Sequence, residues 1–199
     1  MLVEFKKSIT KEEMEELPSF VYPGEIVVIE DEAKVEAAVQ ILKQQVCLGF
    51  DTETRPAFHK GERYKVGLLQ LATLDQVFLF RLNMCGFSKE LRALLSDVNI
   101  VKVGVGIRDD IKSLQRSGSF PPASFVDLQE YVKFYGIEDK SFSKLMGIIY
   151  QVRISKKQRV TNWDAPVLTE AQIRYAATDA WGALKMYLKL SSLFKHEAK

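Results

Sequence analysis

The sequence predicts an α/β fold, a mixed β-sheet flanked by α-helices, in one domain over residues 25–199 behind an irregular lead-in of residues 1–24. Three observations carry that expectation. Apolar runs of strand length alternate with amphipathic helical stretches, the pattern of a layered sheet-and-helix domain. The runs at 66–73 and 77–80 are joined only by Leu74-Asp75-Gln76, too short for a crossover, so one pair of strands is antiparallel. The C-terminal half of the chain is mainly helical, and its last helix is placed to pack on the sheet.

The elements follow in order. Residues 25–29 form a short strand after Pro23-Gly24. Asp31 is placed to cap a helix running through Gln45, with Val35, Ala38, Ile41 and Leu42 on its apolar face. Residues 46–52 are apolar on both faces, as in a central strand. A short helix at 88–96 precedes a strand at 99–103, which runs into Gly104 and Gly106 and then a helix at 107–116. Pro121-Pro122 breaks the chain before the short apolar piece 125–126. Helices are expected at 128–135 and 143–149, with a basic loop at 153–161. Thr169-Glu170-Ala171-Gln172 reads as a capping box opening a helix that reaches about residue 194.

Composition narrows the function. With 199 residues, 47% of them hydrophobic, the chain can enclose a core without disulfides or structural metal. A net charge of +2 excludes a basic field over the whole surface, so any grip on a polyanion must come from local clusters. Cys47 and Cys85 lack metal-ligand spacing, and two histidines, His59 and His196, are too few for a typical zinc site. No stretch has the length and apolarity of a signal peptide or a membrane span, which makes the cytoplasm the expected location and a membrane no partner.

Acidic residues carry the chemistry. Asp51 and Glu53 stand two apart at the end of the central strand, so they point to the same side and can share one cation. Ile107, Asp110, Ile111 and Leu114 fall on one helical stripe, which turns Asp110 inward, while Asp109, rotated by about 100°, caps or faces solvent. Tyr175 and Asp179 are one turn apart on the last helix, among Ala176, Ala177, Ala180 and Ala183, a surface small enough for close packing on the sheet. Each pair alone has a structural explanation: a solvated strand end, close helix packing at the glycines, or a tyrosine–aspartate hydrogen bond. Together they are costly to bury without positive charge, and hard divalent cations that act on phosphates are the natural partner.

The combination of Gly49-Phe50-Asp51-Thr52-Glu53, Leu68-Leu69-Gln70-Leu71-Ala72, Gly104-Val105-Gly106-Ile107, Thr161-Asn162-Trp163 and Tyr175-Ala176-Ala177-Thr178-Asp179-Ala180 resembles the DEDDy 3′–5′ exonucleases of the DnaQ-like, ribonuclease H-like fold, in the ribonuclease D and Werner-syndrome exonuclease branch. The resemblance runs from about residue 25 to residue 194. It implies a ribonuclease H-like mixed sheet and hydrolysis from the 3′ end of DNA or RNA, with release of nucleoside 5′-monophosphates. It also implies two divalent ions, Mg²⁺ or Mn²⁺. Asp51 would bridge both, Glu53 and Asp179 would complete one site, Asp110 would support the other through water, and Tyr175 would orient the attacking water. One departure bears on substrate more than on activity: Gly106 stands four residues before Asp110, where many such enzymes carry Asn and the Werner-like branch does not.

For the nucleic acid, a single strand or a 3′ end, the candidate contacts are Lys156, Lys157 and Arg159 in the basic run that begins at Arg153. A second set is Phe58 and His59, with Lys60, Arg63 and Lys65, in the loop after Glu53. Asn162-Trp163 is expected to anchor the basic loop to the core, and Gly104-Val105-Gly106 lacks the third glycine of a dinucleotide fingerprint. The main alternative is a catalytically silent nucleic-acid-binding module of the same fold, which would normally have lost one of the four carboxylates. A haloacid-dehalogenase-type phosphatase would carry Asp-x-Asp where this chain has Asp51-Thr52-Glu53, and ribonuclease H-like endonucleases lack the Tyr-x-x-x-Asp helix.

Overall fold

Among the described residues, 4–59 and 61–194 of the computed structural model, six strands form one sheet. The chain runs α1 (Lys11–Glu16), β1 (Glu25–Ile29), α2 (Glu32–Leu42), β2 (Cys47–Thr54), β3 (Val66–Ala72), β4 (Gln76–Arg81), α3 (Leu82–Cys85), α4 (Lys89–Leu95), β5 (Val101–Gly104), α5 (Arg108–Ser117) and β6 (Phe125–Asp127). It continues through α6 (Leu128–Tyr131), a 3₁₀ turn (Val132–Tyr135), α7 (Phe142–Tyr150) and α8 (Glu170–Phe194). Strand order is β1-β4-β3-β2-β5-β6, and β3 alone runs against the others. The expected antiparallel pair is β3–β4, closed by Thr73, whose backbone N–H and hydroxyl both donate to the Gln76 carbonyl. Lys60 and His196 lie outside the described residues.

The two sheet faces are covered differently. Leu48, Phe50, Leu69, Leu71, Phe78 and Phe80 meet α2, α4 and α5 in one apolar cluster. Leu68, Ala72, Val77 and Leu79 meet Ala176, Ala177 and Ala180 of α8 on the opposite face. The distal half of α8 then packs on α7 and the α6 turn through Ala183, Met186 and Leu190. Small residues bring α8 close: a Cβ on Gly49 would lie 2.0 Å from the Ala180 carbonyl oxygen, so strand and helix backbones nearly touch. Burial of this apolar surface is the main stabilising contribution.

Several expectations are corrected. Within the expected lead-in, the described residues 4–24 are not irregular throughout. Thr10 and Glu13 form a reciprocal capping box for α1, and Ile9 and Tyr22 are buried in the core. The segment is tied down by Ile9 N–H to Asp139 (2.9 Å), Phe20 N–H to the Arg153 carbonyl (2.9 Å) and Tyr22 N–H to the Thr178 hydroxyl (2.9 Å). On α2 the buried stripe is Val35, Ala38, Val39 and Leu42, at i, i+3, i+4 and i+7, which leaves Ile41 on the flank and 43% exposed. β5 starts at Val101 because Asp97 turns the chain, accepting from Asn99 N–H at 2.8 Å. The helix expected at 128–135 tightens to 3₁₀ at Val132 and stops at Gly136 in the left-handed region. Among the described residues no helix is long and apolar enough to cross a membrane.

Candidate active site

The site forms where the carboxyl end of β2 is approached from both faces. Asp51 and Glu53 project to the face covered by α8, the face on which Gly49 meets Ala180. Thr52 points the other way, and its hydroxyl hydrogen-bonds an Asp110 carboxylate oxygen in the first turn of α5. Ile107 and Leu114 anchor α5 in the core, so Asp110 is turned inward as its stripe requires. The neighbouring Asp109 side chain is 92% exposed and pairs with Lys112 at 3.4 Å. Gly104 permits this approach: a Cβ there would lie 2.5 Å from the Phe50 carbonyl. Gly106 adopts φ +72°, a conformation that suits glycine, while its N–H donates to Asp127 at 2.8 Å.

From α8, Asp179 is buried beside Asp51 and Glu53. One carboxylate oxygen from each of the three lies within 4.8 Å of the others. Tyr175, one turn earlier, faces the same space, and its hydroxyl lowers the pKa of the neighbouring Asp179 carboxylate. Its ring packs on Trp163 at 6.2 Å between centroids, and Trp163 is fully buried. The basic loop is therefore anchored as expected, with Gln172 of α8 donating to the Thr161 hydroxyl (3.0 Å) and the Asn162 carbonyl (3.3 Å).

Asp51, Glu53, Asp110, Tyr175 and Asp179 all line one cavity of about 370 Å³. Lys156 and Arg159 reach it from the basic loop. Lys157, Phe58 and His59 do not line it; Phe58 is 78% exposed, and the Phe58 and His59 backbone N–H groups are held by Glu62. Residues not singled out from the sequence complete the wall, among them Gln129 of α6, Lys140, and Phe142 and Ser143 at the start of α7. They carry no short motif and reach the cavity only through packing. Gln70 of β3, directly opposite Asp51 on the α8 face, is fully buried, and its amide has no hydrogen-bond partner.

The electrostatics follow from crowding. Burial, then the Asp179, Glu53 and Asp110 charges, push Asp51 well above the usual carboxylate range, although the Thr52 N–H (2.9 Å) opposes this. Glu53 rises to about 9 through burial and the charges of Asp179 and Asp110. Asp179 rises to about 7 through burial, held back by the Tyr175 hydroxyl and Arg159. Asp110 is raised by burial against its Thr52 bond. Burial and the same carboxylates push the Tyr175 hydroxyl far upward, so it remains a donor. An Asp179 oxygen is buried with no hydrogen-bond partner. Three converging hard oxygen donors, one of them orphaned, fit a hard divalent cation.

The model of a 3′–5′ exonuclease domain matches residues 26–195. The chain belongs to the 3′–5′ exonuclease family. The mouse bifunctional 3′–5′ exonuclease/ATP-dependent helicase WRN is 32% identical over 201 residues, covering 96% of this chain and 14% of that protein. Two further curated relatives, from Drosophila melanogaster and a mimivirus, are spanned over 25% and 42% of their length. Among solved structures, the Aedes aegypti Nibbler EXO domain superposes with TM-score 0.80 at 21% identity, covering 89% of this chain and 94% of that one. Trypanosoma brucei RNase D in complex with RNA U12 superposes with TM-score 0.72 at 21% identity, covering 84% and 63%. The mixed six-stranded sheet flanked by helices is the ribonuclease H-like exonuclease fold expected of the sequence.

Proposed function

We propose that this chain is a metal-dependent 3′–5′ exonuclease that removes nucleoside 5′-monophosphates from the 3′ end of a nucleic-acid strand. The observation that carries the reading is the convergence of Asp51, Glu53, Asp179 and Asp110, with Tyr175, on one cavity. Family membership and the likeness to an RNase D solved with RNA support nucleic acid as the substrate.

Asp51, Glu53 and Asp179 would hold one divalent ion, and Asp110, steadied by Thr52 from the opposite face, would support a second beside Asp51. Mg²⁺ or Mn²⁺ held there supplies an acidified water and neutralises charge on the scissile phosphate. The protein's own work is orientation. Tyr175 keeps its proton and is a hydrogen-bond donor, so it directs the attacking water and leaves the base role to other groups. Trp163 fixes the Tyr175 ring from behind. Lys156 and Arg159 place positive charge on the cavity wall, where phosphate oxygens arrive.

The test is digestion of 5′-labelled single-stranded and recessed-duplex DNA and RNA with Mg²⁺, Mn²⁺ or EDTA. A ladder shortening from the 3′ end that EDTA abolishes, and that Asp51→Ala or Asp179→Ala removes with the fold intact, is expected. Full activity in Asp51→Ala would sink the assignment, and retained binding without cleavage would favour a silent binding module.

A further inference from the structure

The catalytic cavity does not end at the carboxylates. A second, larger groove of about 700 Å³ adjoins it along Ser143, Ile154, Ser155 and Lys156. Its walls are the basic loop on one side and α1 on the other. Lys11, Arg153 and Lys157 line this groove and do not line the catalytic cavity; with the shared Lys156 they give it four cations. Glu15 is its one acidic lining residue, lying 3.7 Å from Lys11 in an exposed ion pair of little strength. Of the other acidic groups on α1, Glu13 is occupied by Lys6 (2.7 Å) and the Thr10 cap, and Glu12 and Glu16 do not face the groove.

The groove is also built to keep its shape. Ser19 and Arg153 form a parallel bridge, with Arg153 N–H donating to the Pro18 carbonyl at 2.8 Å and Phe20 N–H to the Arg153 carbonyl at 2.9 Å. Met14 of α1 packs over Gly147 of α7, where a Cβ would lie 2.4 Å from its sulfur. α1 is thus fixed to α7, which also lines the catalytic cavity, and the basic loop is fixed to the segment that follows α1.

We propose that this groove is the track of the substrate strand upstream of the scissile bond: a single-stranded sugar–phosphate chain whose terminal nucleotide lies in the cavity and whose next residues pass between α1 and the basic loop. The assignment rests on the exonuclease reading and adds to it that residues 11–19 help select a single-stranded 3′ tail. A cationic groove that tracks the backbone suits sequence-independent binding of one strand. Terminal base pairs must open before a 3′ nucleotide reaches the carboxylates by this route.

The experiment measures kcat/KM for a dinucleotide and for a twelve-nucleotide single strand at two salt concentrations. It compares the unaltered protein, the double variant Arg153→Ala/Lys157→Ala, and Glu15→Lys. The expected result is that the advantage of the long strand over the dinucleotide falls roughly tenfold in the double variant and rises in Glu15→Lys. The salt dependence should flatten by about 0.7 in log–log slope per cation lost. A length advantage unchanged in both variants overturns the proposal even if the protein is a vigorous exonuclease. If no substrate is cut, the exonuclease reading fails separately. Fluorescence anisotropy with the labelled twelve-mer then decides the groove: weaker binding by the double variant and tighter binding by Glu15→Lys support it, and unchanged affinities overturn it.

Discussion

A single methyl group added at Gly49 tests how the site is assembled. Gly49 lies two residues before Asp51 on the same face of β2. A Cβ there would lie 2.0 Å from the Ala180 carbonyl oxygen and 2.8 Å from its carbon. Both are backbone atoms, so no rotamer relieves the overlap, and β2 and α8 must separate by roughly 1 Å, a misplacement that costs about 10²-fold in rate when it reaches reacting groups. It reaches them directly here, because Ala180 follows Asp179 and the displaced helix also carries Tyr175. Overpacking of this kind costs about 1–3 kcal/mol, and each kcal/mol lowers the melting temperature by about 2–4 °C for a chain of this size. The expected outcome of Gly49→Ala is therefore a folded protein, several degrees less stable, with kcat on a single-stranded oligonucleotide down about 10²-fold. Gly118→Ala is the control: its Cβ would meet only the Arg92 and Phe87 side chains at 3.1 Å, away from the cavity, on extended backbone. Wild-type melting and rate in Gly49→Ala would refute the claim that the close β2–α8 contact sets the position of Asp179.

Three further outcomes follow. In EDTA, the folded-state pKa values of Asp179 (about 7) and Glu53 (about 9) lie above their unfolded values, so the folded state binds the extra protons. The stability these groups contribute is then complete below about pH 4 and lost as pH rises through 7 and 9. Saturating Mg²⁺ should therefore raise the melting temperature by a margin that widens from pH 5.5 to pH 9, and a margin independent of pH would count against the carboxylates as its ligands. Tyr175→Phe should keep the Mg²⁺-dependent rise in melting temperature while the rate falls by about 10²-fold, and an unchanged rate would remove the hydroxyl from the mechanism. Gln70→Leu replaces a buried amide that has no partner, and each such unsatisfied polar atom costs about 1–3 kcal/mol, so its melting temperature should hold or rise. A marked drop would mean that the amide is bonded in the working protein, for instance to Asp51, its register partner on β2.

What the sequence made legible was local and periodic. Asp51 and Glu53 share a side because a strand has period two, and Asp179 faces them because the alanines of α8 demand a close sheet contact. The capping box at Thr169 fixed the start of α8, with Gln172 N–H bonding the Thr169 hydroxyl at 3.2 Å. Long-range partnership was not legible. The Thr10–Glu13 cap was a readable signal for α1, but a six-residue helix takes its place from Met14 packing on Gly147 and from the Arg153 bridge to the residues that follow it, all far along the chain. Arg81 closes the apolar strand β4. In the structure it is fully buried, because the Ala165 and Pro166 carbonyls and Glu30 (2.7 Å) supply its guanidinium with acceptors. The cavity walls from α6 and α7 were missed for the same reason.

The arrangement also explains why the acidic cluster is tolerated. Asp51, Glu53 and Asp179 approach from strand and helix on one face, and Asp110 from α5 on the other, so no single element carries the whole repulsion. Thr52 is the hinge of this division, because the strand pleat that sends Asp51 and Glu53 towards α8 necessarily sends Thr52 towards Asp110. Without metal, proton uptake relieves much of the like-charge cost, and the three core clusters fix β2, α5 and α8 independently of the carboxylates. A site supported this way can lose a charge without losing its shape. Neutralising one carboxylate should then remove function while relieving strain, the opposite of what an acidic residue retained for structure would do.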